Sequence, residues 1–357
     1  MKRFLAAFAL VFAMMSGLSA QEMVYKDATE LTLTGKLFND TPNPYHRVDT
    51  VRFKGFTESE NIQVRCAAGL AVLFRTNAET LSLRCRYGYQ NHASNTMGVA
   101  LRGFDLYIRM PDGRWQFAAS KEGKDGTAVK LISHMDASMK ECLLYLPMYS
   151  ELYSLEIGAP EGSVLEAMES PFRHRVGIFG SSFTQGISIS RTGMSYPDQF
   201  TRDTGIQMLS LGCSGNCKLQ PYFAEVLKAA DVDALVFDAF SNPAGETIRD
   251  RLFPFIEMIQ EAHPDIPLIF MQTIHRCGSH FDLERRQVEQ AKQDAAEEMM
   301  KEACKRYKNV YFIRPCAHDG HHETSVDGTH PDDYGYTLWA RSIEKPICKI
   351  LRKYGLK

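Results

Sequence analysis

The stretch "RVGIFGSSFTQG" (residues 175–186) decides the fold class of the second half of this chain. Apolar residues run into a glycine, two adjacent serines and a second glycine, which is typical of a buried strand that ends in a tight, exposed turn. Further apolar runs follow, namely "IQMLSLG", "DALVFDAF", "PLIFMQT" and "VYFIRP", with amphipathic stretches such as "PYFAEVLKAA" and "LERRQVEQAKQDAAEEMMKEACKR" between them. Apolar strands alternating with helices predict a parallel sheet covered by helices on both faces.

The first half of the chain has a different pattern. From Leu31 to about Ile157 it consists of short β segments such as "LTLTGKLF", "AVLFRTN", "LSLRCRYG" and "FDLYIRM", separated by Gly, Asn, Asp and Pro. Strands at this spacing, without a long helical pattern, predict an all-β sandwich or jelly roll. We therefore predict an all-β domain over residues 21–165 and an α/β domain over residues 172–357, with the boundary in a stretch that carries two prolines.

The amino-terminal stretch "MKRFLAAFALVFAMMSGLSAQ" has two basic residues, an apolar run and small residues that end at Ala20. This pattern predicts a secretory signal peptide over residues 1–20, cleaved after Ala20. The alternative, a single membrane anchor, is weaker because the apolar run is shorter than the roughly 20 residues that a spanning helix needs. We expect an exported protein, periplasmic or extracellular, without a membrane span in its mature form.

The charge and the cysteine content restrict the partners and the covalent framework. A formal net charge of −2 over 357 residues gives no reason to expect nucleic acid as a partner, and a small molecule or a neutral polymer fits better. The nine cysteines are an odd number, so at least one thiol is unpaired within the chain. Most lie in apolar runs, where a small buried thiol is the commoner explanation, and we predict no disulfide framework.

The unusual polar residues of the second half follow the predicted strands. In an open α/β sheet, ligands bind outside the carboxyl ends of the strands, where "GSSFTQG", "LGCSGNC" and "FDAFSNP" lie. The stretch "DGTHPDDYGY" precedes the last helix. A serine hydroxyl becomes a good nucleophile when an imidazole removes its proton and a carboxylate orients that imidazole. We therefore predict a catalytic triad of His330, Asp327 and one of the two adjacent serines, Ser181 or Ser182.

These loops resemble the sequence blocks of the SGNH (GDSL-type) hydrolase superfamily. The first block normally reads Gly-Asp-Ser; here Ser182 takes the nucleophile position and Ser181 replaces the usual aspartate. The glycine of the second block is Gly215, the asparagine of the third is Asn242, and the closing Asp-x-x-His is "DGTH" (residues 327–330). The resemblance implies a flavodoxin-like, three-layer hydrolase domain with a five-stranded parallel sheet. It also implies an oxyanion hole made by the backbone N–H groups of Ser182 and Gly215 and the side-chain amide of Asn242, with no metal and no cofactor.

The first half carries a signature of its own. The stretch "RGFDLYIRM" contains Gly-x-Asp-Leu-Tyr and resembles the β-rich domain that precedes one subgroup of SGNH hydrolases. The resemblance implies that Asp105 and Tyr107 lie at the interdomain face beside the active site. The alternative is that both are ordinary strand residues. Together the two resemblances cover essentially the whole mature chain.

Several polar residues near the predicted site keep more than one interpretation. Ser181 is expected to be a supporting hydroxyl rather than a second nucleophile. Asp238 could orient the oxyanion loop, touch substrate, or cap the helix that follows. Cys213 and Cys217 could close a small disulfide or remain two packed thiols. The stretch "HDGHHE" (residues 318–323) matches no trusted metal motif, so a solvated loop is favoured over a metal site.

The sequence thus predicts an exported serine esterase that acts through an acyl-enzyme. Exported SGNH enzymes with a β-sandwich partner often resemble carbohydrate acetylesterases, so the expected partner is an acetylated carbohydrate or another small ester. One alternative is a lipid esterase or thioesterase of the same fold, which would need an apolar acyl groove. Another is a carbohydrate-binding protein whose hydrolase half has lost its activity.

Overall fold

The computed structural model describes residues 22–320 and 323–356, so the predicted signal peptide lies outside the described residues. The β domain, as we call the part up to β10, holds two antiparallel sheets. Its strands are β1 (Met23–Asp27), β2 (Thr32–Thr34), β3 (Ala71–Thr76), β4 (Leu81–Gln90), β5 (Gly103–Arg109), β6 (Trp115–Glu122), β7 (Val129–Ile132), β8 (Lys140–Tyr145), β9 (Ser150–Pro160) and β10 (Leu165–Ala167). Its helices are α1 (Glu58–Arg65) and α2 (Gly98–Arg102), and Ala28–Glu30 form a 3₁₀ turn.

The two sheets of the β domain pack face to face. One has the order β1-β9-β4-β7, and the other has the order β10-β3-β8-β5-β6 with β2 paired to β3. Alternating residues of both sheets, such as Leu83 and Ile157 from the first and Phe74 and Leu144 from the second, are fully buried in one shared core. The predicted β-sandwich is confirmed.

The α/β domain, as we call the part from β11 onward, contains the predicted parallel sheet. Its strands are β11 (Arg173–Gly180), β12 (Ile206–Gly212), β13 (Ala234–Asp238), β14 (Leu268–Met271) and β15 (Val310–Ile313), in the order β12-β11-β13-β14-β15. Its helices are α3 (Ser182–Gln185), α4 (Tyr196–Thr204), α5 (Pro221–Lys228), α6 (Gly245–Ala262), α7 (Leu283–Arg306) and α8 (Asp333–Arg352), with 3₁₀ turns at Thr192–Met194 and Cys277–His280.

Helices cover this sheet on both faces. Phe179 and Phe237 point into a core shared with α5, α6 and α7, whereas Ile178 and Val236 point into a core shared with α4 and α8. The alternation along each strand makes three layers, and the predicted flavodoxin-like arrangement with a five-stranded sheet is confirmed. In the described part of the chain, no helix is both long and apolar enough to cross a membrane. Antiparallel pairing ends at Ala167 and parallel pairing begins at Arg173, while the domain limits at residues 165 and 172 stay a prediction.

The structure corrects two local expectations in the β domain. The predicted strand "LTLTGKLF" is reduced to Thr32–Thr34, because Gly35 takes a left-handed φ of 84° and a Cβ there would lie 2.0 Å from the carbonyl oxygen of Gly69. The helix α1 was not predicted. It begins with a reciprocal capping box between Thr57 and Glu60, which explains why so short a helix forms.

Candidate active site

The parallel sheet brings three polar loops to one edge. β11 lies between β12 and β13, and its last residue, Gly180, is paired with Gly212 on one side and with Asp238 on the other. Because the strands run parallel, the loops that follow them leave the sheet side by side, where ligands bind in this class of fold. Glycine is needed at position 212 because a Cβ there would lie 2.2 Å from the backbone nitrogen of Gln185.

The three residues of the predicted triad form one hydrogen-bonded chain. Ser182 is the first residue of α3, and its Oγ lies 3.0 Å from Nε2 of His330. Nδ1 of His330 lies 2.8 Å from Oδ2 of Asp327. Oδ1 of Asp327 accepts hydrogen bonds from the backbone N–H groups of Thr329 at 2.9 Å and His330 at 2.8 Å, which fixes the carboxylate on its own loop.

The surroundings of the triad favour a neutral imidazole beside a carboxylate. Burial lowers the pKa of His330 although its hydrogen bond with Asp327 opposes this, and the guanidinium groups of Arg276 and Arg285 lower that pKa further. Partial burial alone would raise the pKa of Asp327, but hydrogen bonds from His330, Asn95 and two backbone N–H groups hold it well below its usual range. In this state Nε2 of His330 can accept a proton.

Hydrogen bonds join the segments that carry the predicted oxyanion donors. Oδ1 of Asn242 accepts a hydrogen bond from the backbone N–H of Cys217 at 3.1 Å, which directs the amide NH₂ group away from Cys217. Oε1 of Gln185 in α3 accepts a hydrogen bond from the N–H of Ser214 at 2.9 Å. The next residue, Gly215, has a left-handed φ of 73°, and nothing lies within 4 Å of the position that a Cβ would take. The loop is therefore open at Gly215.

Asp238 holds the nucleophile loop from beneath. Its Oδ2 accepts hydrogen bonds from the backbone N–H of Ser181 at 3.1 Å, from the Ser181 hydroxyl at 2.6 Å and from the Thr184 hydroxyl at 3.1 Å. Its Oδ1 accepts one from the Ser241 hydroxyl at 3.0 Å, next to the asparagine of the third block. A carboxylate thus lies beneath the serine pair although the usual acid of the first block is missing.

This position excludes two of the expectations for Asp238. The residue does not cap the following helix, because the N-cap of α6 is Ala244 and makes no side-chain capping bond. Nor can it touch substrate, because it is 1% exposed, and burial raises the pKa of its carboxyl group. Its contacts agree with the remaining expectation, that it orients the loops around the site.

Asp105 and Tyr107 join the two domains. Nη1 of Arg191 donates to Oδ2 of Asp105 at 2.7 Å and to the hydroxyl of Tyr107 at 2.6 Å. The backbone N–H of Gly193 also donates to Oδ2 of Asp105, at 2.9 Å. Both signature residues are buried at the interdomain face. They contact residues 191–193 rather than the triad.

Three arginines near the site carried no recognisable sequence signal. Nη2 of Arg276 donates to the carbonyl oxygen of Ser241 at 2.9 Å, and its Nε pairs with the buried carboxylate of Glu289 at 3.2 Å. Arg285 donates to the hydroxyl of Thr329 in the triad loop. The third, Arg47 of the β domain, contacts the carboxyl end of β12. Arginines on amphipathic helices and in loops are common, so their spacing alone does not single them out.

The β domain forms most of the wall of the cavity beside the triad. This cavity has a volume of about 490 Å³. Its lining includes Gln63, Tyr89, Asn91, Asn95 and Tyr149 from the β domain, and Ser214 and His330 from the α/β domain. Asn95 also reaches the triad itself, because its Nδ2 donates to Oδ2 of Asp327 at 2.8 Å. Sequence reasoning missed Asn95 because 232 residues separate the two partners.

The remaining candidates lie around the oxyanion loop and the triad loop. Cys213 and Cys217 are buried free thiols, and burial raises the pKa of both. His321 and His322, from the histidine-rich stretch, lie outside the described residues. Elsewhere, the structure describes no cluster of histidine, cysteine and acidic side chains with the arrangement of a metal site.

Comparisons with known proteins agree with both halves of this description. The profile of the GDSL-like Lipase/Acylhydrolase family matches residues 173–348. The profile for the N-terminus of SGNH-hydrolase-type esterases, known as GxDLY, matches residues 23–165. A search of curated protein sequences returned no significant match.

Solved structures resemble the chain over both domains. A protein described as a GDSL-like lipase, from Bacteroides ovatus, is 36% identical, with a TM-score of 0.88 over 93% of this chain and 98% of that chain. A salicylyl-acyltransferase from a tetracycline biosynthetic pathway is 16% identical, with a TM-score of 0.68 over 93% and 98% of the two chains. A family two carbohydrate esterase from Cellvibrio japonicus is 11% identical, with a TM-score of 0.60 over 93% and 99%. The last two share the fold. On the profile matches and the Bacteroides ovatus structure, the chain belongs to the SGNH (GDSL-like) hydrolase and esterase family, in the subgroup with an amino-terminal GxDLY domain.

Proposed function

We propose that this protein is an exported serine esterase that hydrolyses carboxylic esters through an acyl-enzyme, and that it removes acetyl groups from a carbohydrate. The observation that carries the proposal is the chain from Ser182 Oγ to His330 at 3.0 Å and from His330 to Asp327 at 2.8 Å. A hydroxyl, an imidazole and a carboxylate in this order activate a serine for acyl transfer. The signal-peptide pattern of residues 1–20 supports export.

The triad can carry out acylation and deacylation with the same proton acceptor. Ser182 Oγ attacks the ester carbonyl carbon while Nε2 of His330 takes the hydroxyl proton, and Asp327 stabilises the resulting imidazolium. The tetrahedral intermediate collapses when His330 returns the proton to the leaving alcohol, which leaves the acyl group on Ser182. Water then attacks the acyl carbon while Nε2 of His330 takes its proton, and His330 returns this proton to Oγ of Ser182 as the carboxylic acid leaves.

Three donors would stabilise the oxyanion of that intermediate. They are the backbone N–H groups of Ser182 and Gly215 and the amide of Asn242, whose orientation the hydrogen bond from Cys217 sets. Donors that are already aimed at the developing charge need no reorganisation during the reaction, and the loss of one such donor costs about 10²- to 10³-fold in kcat in a well-studied protease.

The cavity lining supports a carbohydrate as the substrate. Amide and hydroxyl groups of Gln63, Asn91, Tyr89 and Ser214 line it, and such groups exchange hydrogen bonds with sugar hydroxyls. A lipid esterase would need a continuous apolar acyl groove, whereas here these amide and hydroxyl groups share the lining with the apolar side chains of Ile62, Ala93 and Ile187. The hydrogen-bonded triad argues against a protein that has lost its activity. Family membership alone leaves the choice of ester open.

We expect the purified protein to release acetate from acetylated xylan or pectin and to cleave p-nitrophenyl acetate faster than p-nitrophenyl esters of long acyl chains. The physical reason is that the amide and hydroxyl groups in the lining of this cavity of about 490 Å³ would lose hydrogen bonds to water against a long acyl chain. Acetate release and kcat/KM over a series of acyl lengths measure this. A clear preference for long chains would contradict the carbohydrate assignment while leaving serine chemistry intact.

The pH dependence of kcat/KM should report on His330. Burial lowers the pKa of this imidazole, and only the neutral form can act as base. A lowered pKa keeps the base neutral to more acidic pH, so the acid limb for p-nitrophenyl acetate should have its midpoint below the ordinary histidine value of about 6.5. A profile of kcat/KM against pH measures the midpoint. A midpoint above that value would contradict the environment described for His330.

A further inference from the structure

The triad is part of a longer hydrogen-bond chain that crosses between the two domains. The backbone N–H of Ser188 donates to Oγ1 of Thr96 at 2.8 Å. The hydroxyl of Thr96 donates to Oδ1 of Asn95 at 3.2 Å, and Nδ2 of Asn95 donates to Oδ2 of Asp327 at 2.8 Å. From Asp327 the chain continues into the triad.

The two ends of this chain lie close together in the sequence. Ser182 and Ser188 belong to one short segment of the α/β domain, whereas Asn95 and Thr96 lie between β4 and α2 of the β domain. Ser188 has a left-handed φ of 70°, which a non-glycine residue adopts only where its surroundings enforce it. Two adjacent side chains of the β domain thus bind the triad carboxylate and the strained segment that follows the nucleophile helix.

We propose that Asn95 is a positioning residue, which holds the carboxylate of Asp327 in the orientation that His330 needs, so that the β domain takes part in catalysis. This inference rests on the esterase function proposed above. It assigns the β domain a role that goes beyond lining the cavity.

The contacts of Asp327 show why a second domain is needed. Oδ1 is held by N–H groups of its own loop, which contains Gly328 with a left-handed φ of 74°. Oδ2 bonds to His330, and the Asp327 side chain is 30% exposed, so water can compete for this oxygen. Within residues 22–320 and 323–356, Asn95 is the one side chain outside the 327–330 loop that donates to the carboxylate. Its amide is neutral, so it fixes the oxygen without adding charge.

The loss of this amide should change the basicity of His330 as well as the rate. The charged groups that face His330 are Asp327 on its own loop, Arg276 from the loop after β14 and Arg285 from α7. Without the Asn95 donor, the Asp327 carboxylate can turn away from Nδ1 of His330, so the hydrogen bond and the negative charge that raise the pKa of His330 act less strongly. The acid limb of the pH profile should therefore move to lower pH, and kcat should fall because the imidazolium formed in the reaction is less stabilised.

The test compares Asn95→Ala and the neutral, similarly sized Asn95→Leu with the wild type, using p-nitrophenyl acetate turnover and the rate of fluorophosphonate labelling. We expect both variants to react about 10- to 100-fold more slowly, the loss typical of outer partners that orient a functional group. Both should also show an acid limb at lower pH. Ser94→Ala is the matched control, because the exposed neighbour Ser94 lies on the same loop and should leave rate and profile unchanged.

The outcomes separate the two proposals. If the wild type reacts and Asn95→Ala matches it in rate and acid limb, Asn95 has no positioning role. If Asn95→Ala lowers the melting temperature, the labelling rate and acid limb of folded Asn95→Leu decide, and an unshifted limb overturns the inference because a purely structural role does not move it. If the wild type itself reacts with neither reagent, the esterase function falls and this inference falls with it.

Discussion

The Ser182→Ala variant is expected to hydrolyse p-nitrophenyl acetate about 10⁴- to 10⁶-fold more slowly than the wild type. Alanine has no oxygen to form the acyl-enzyme, and His330 is left without the proton it would accept at 3.0 Å. The oxyanion donors and the cavity remain, so a small residual rate above that of water is expected. Steady-state and single-turnover kinetics measure the loss.

Ser181→Ala is the matched comparison, because the adjacent serine has the same hydroxyl in a different environment. Ser181 is fully buried and donates to Asp238 at 2.6 Å, so its removal should lower stability while most of the activity remains. His330→Ala should cost about as much activity as Ser182→Ala, and the double variant little more, because the two residues act as a unit. Loss of activity in Ser181→Ala with retention in Ser182→Ala would reverse the assignment of the nucleophile.

The Arg47→Met variant should lower the free energy of unfolding by about 3–5 kcal/mol. Arg47 is 1% exposed and, in the described part of the chain, forms no ion pair with a carboxylate. Its guanidinium donates instead to four backbone carbonyl groups. These are Gln63 at 2.5 Å, Cys66 at 2.8 Å, Ser210 at 3.2 Å and Gly212 at 2.9 Å. Methionine fills the volume but leaves these buried carbonyl oxygens without that donor.

The four carbonyl groups explain why the loss should be large. Two lie at the carboxyl end of α1, where a positive charge is favourable, and two lie on β12, the end strand of the parallel sheet. Arg47 thus joins the β domain to the strand that leads into Gly215. Urea denaturation measures the effect, with the exposed Arg114→Met as control, for which a change under about 1 kcal/mol is expected. A similarly small change for Arg47→Met would contradict this account.

The architecture of both domains could be predicted from the sequence because the pattern of apolar residues along their strands differs. Continuous apolar strands such as "RVGIFG" indicated a sheet buried on both faces, and the short alternating segments indicated a sandwich. The triad loops could be found because each follows a strand or precedes a helix, and their residues combine a nucleophile, a base and a carboxylate. A feature could therefore be predicted wherever the residues that form it lie together in one short stretch of the sequence.

Sequence reasoning failed where a function depends on contacts between distant segments. The bond from Asn95 to Asp327 and those from Arg47 to β12 join the two domains, and neither asparagine in a turn nor arginine in a loop indicates a partner. The position of Asp238 beneath Ser181 depends on strand register, which pairs residues 238 and 180. Capping was therefore a reasonable expectation for Asp238 from its local sequence, and the register made it wrong.

The assignment of Ser182 as the nucleophile is the central claim, and covalent labelling tests it most directly. The protein would be treated with a fluorophosphonate, digested, and analysed by mass spectrometry to locate the adduct. We predict one adduct on Ser182 in the wild type, slow labelling in His330→Ala and none in Ser182→Ala. Equal labelling of the wild type and Ser182→Ala, or an adduct on another residue, would contradict the account.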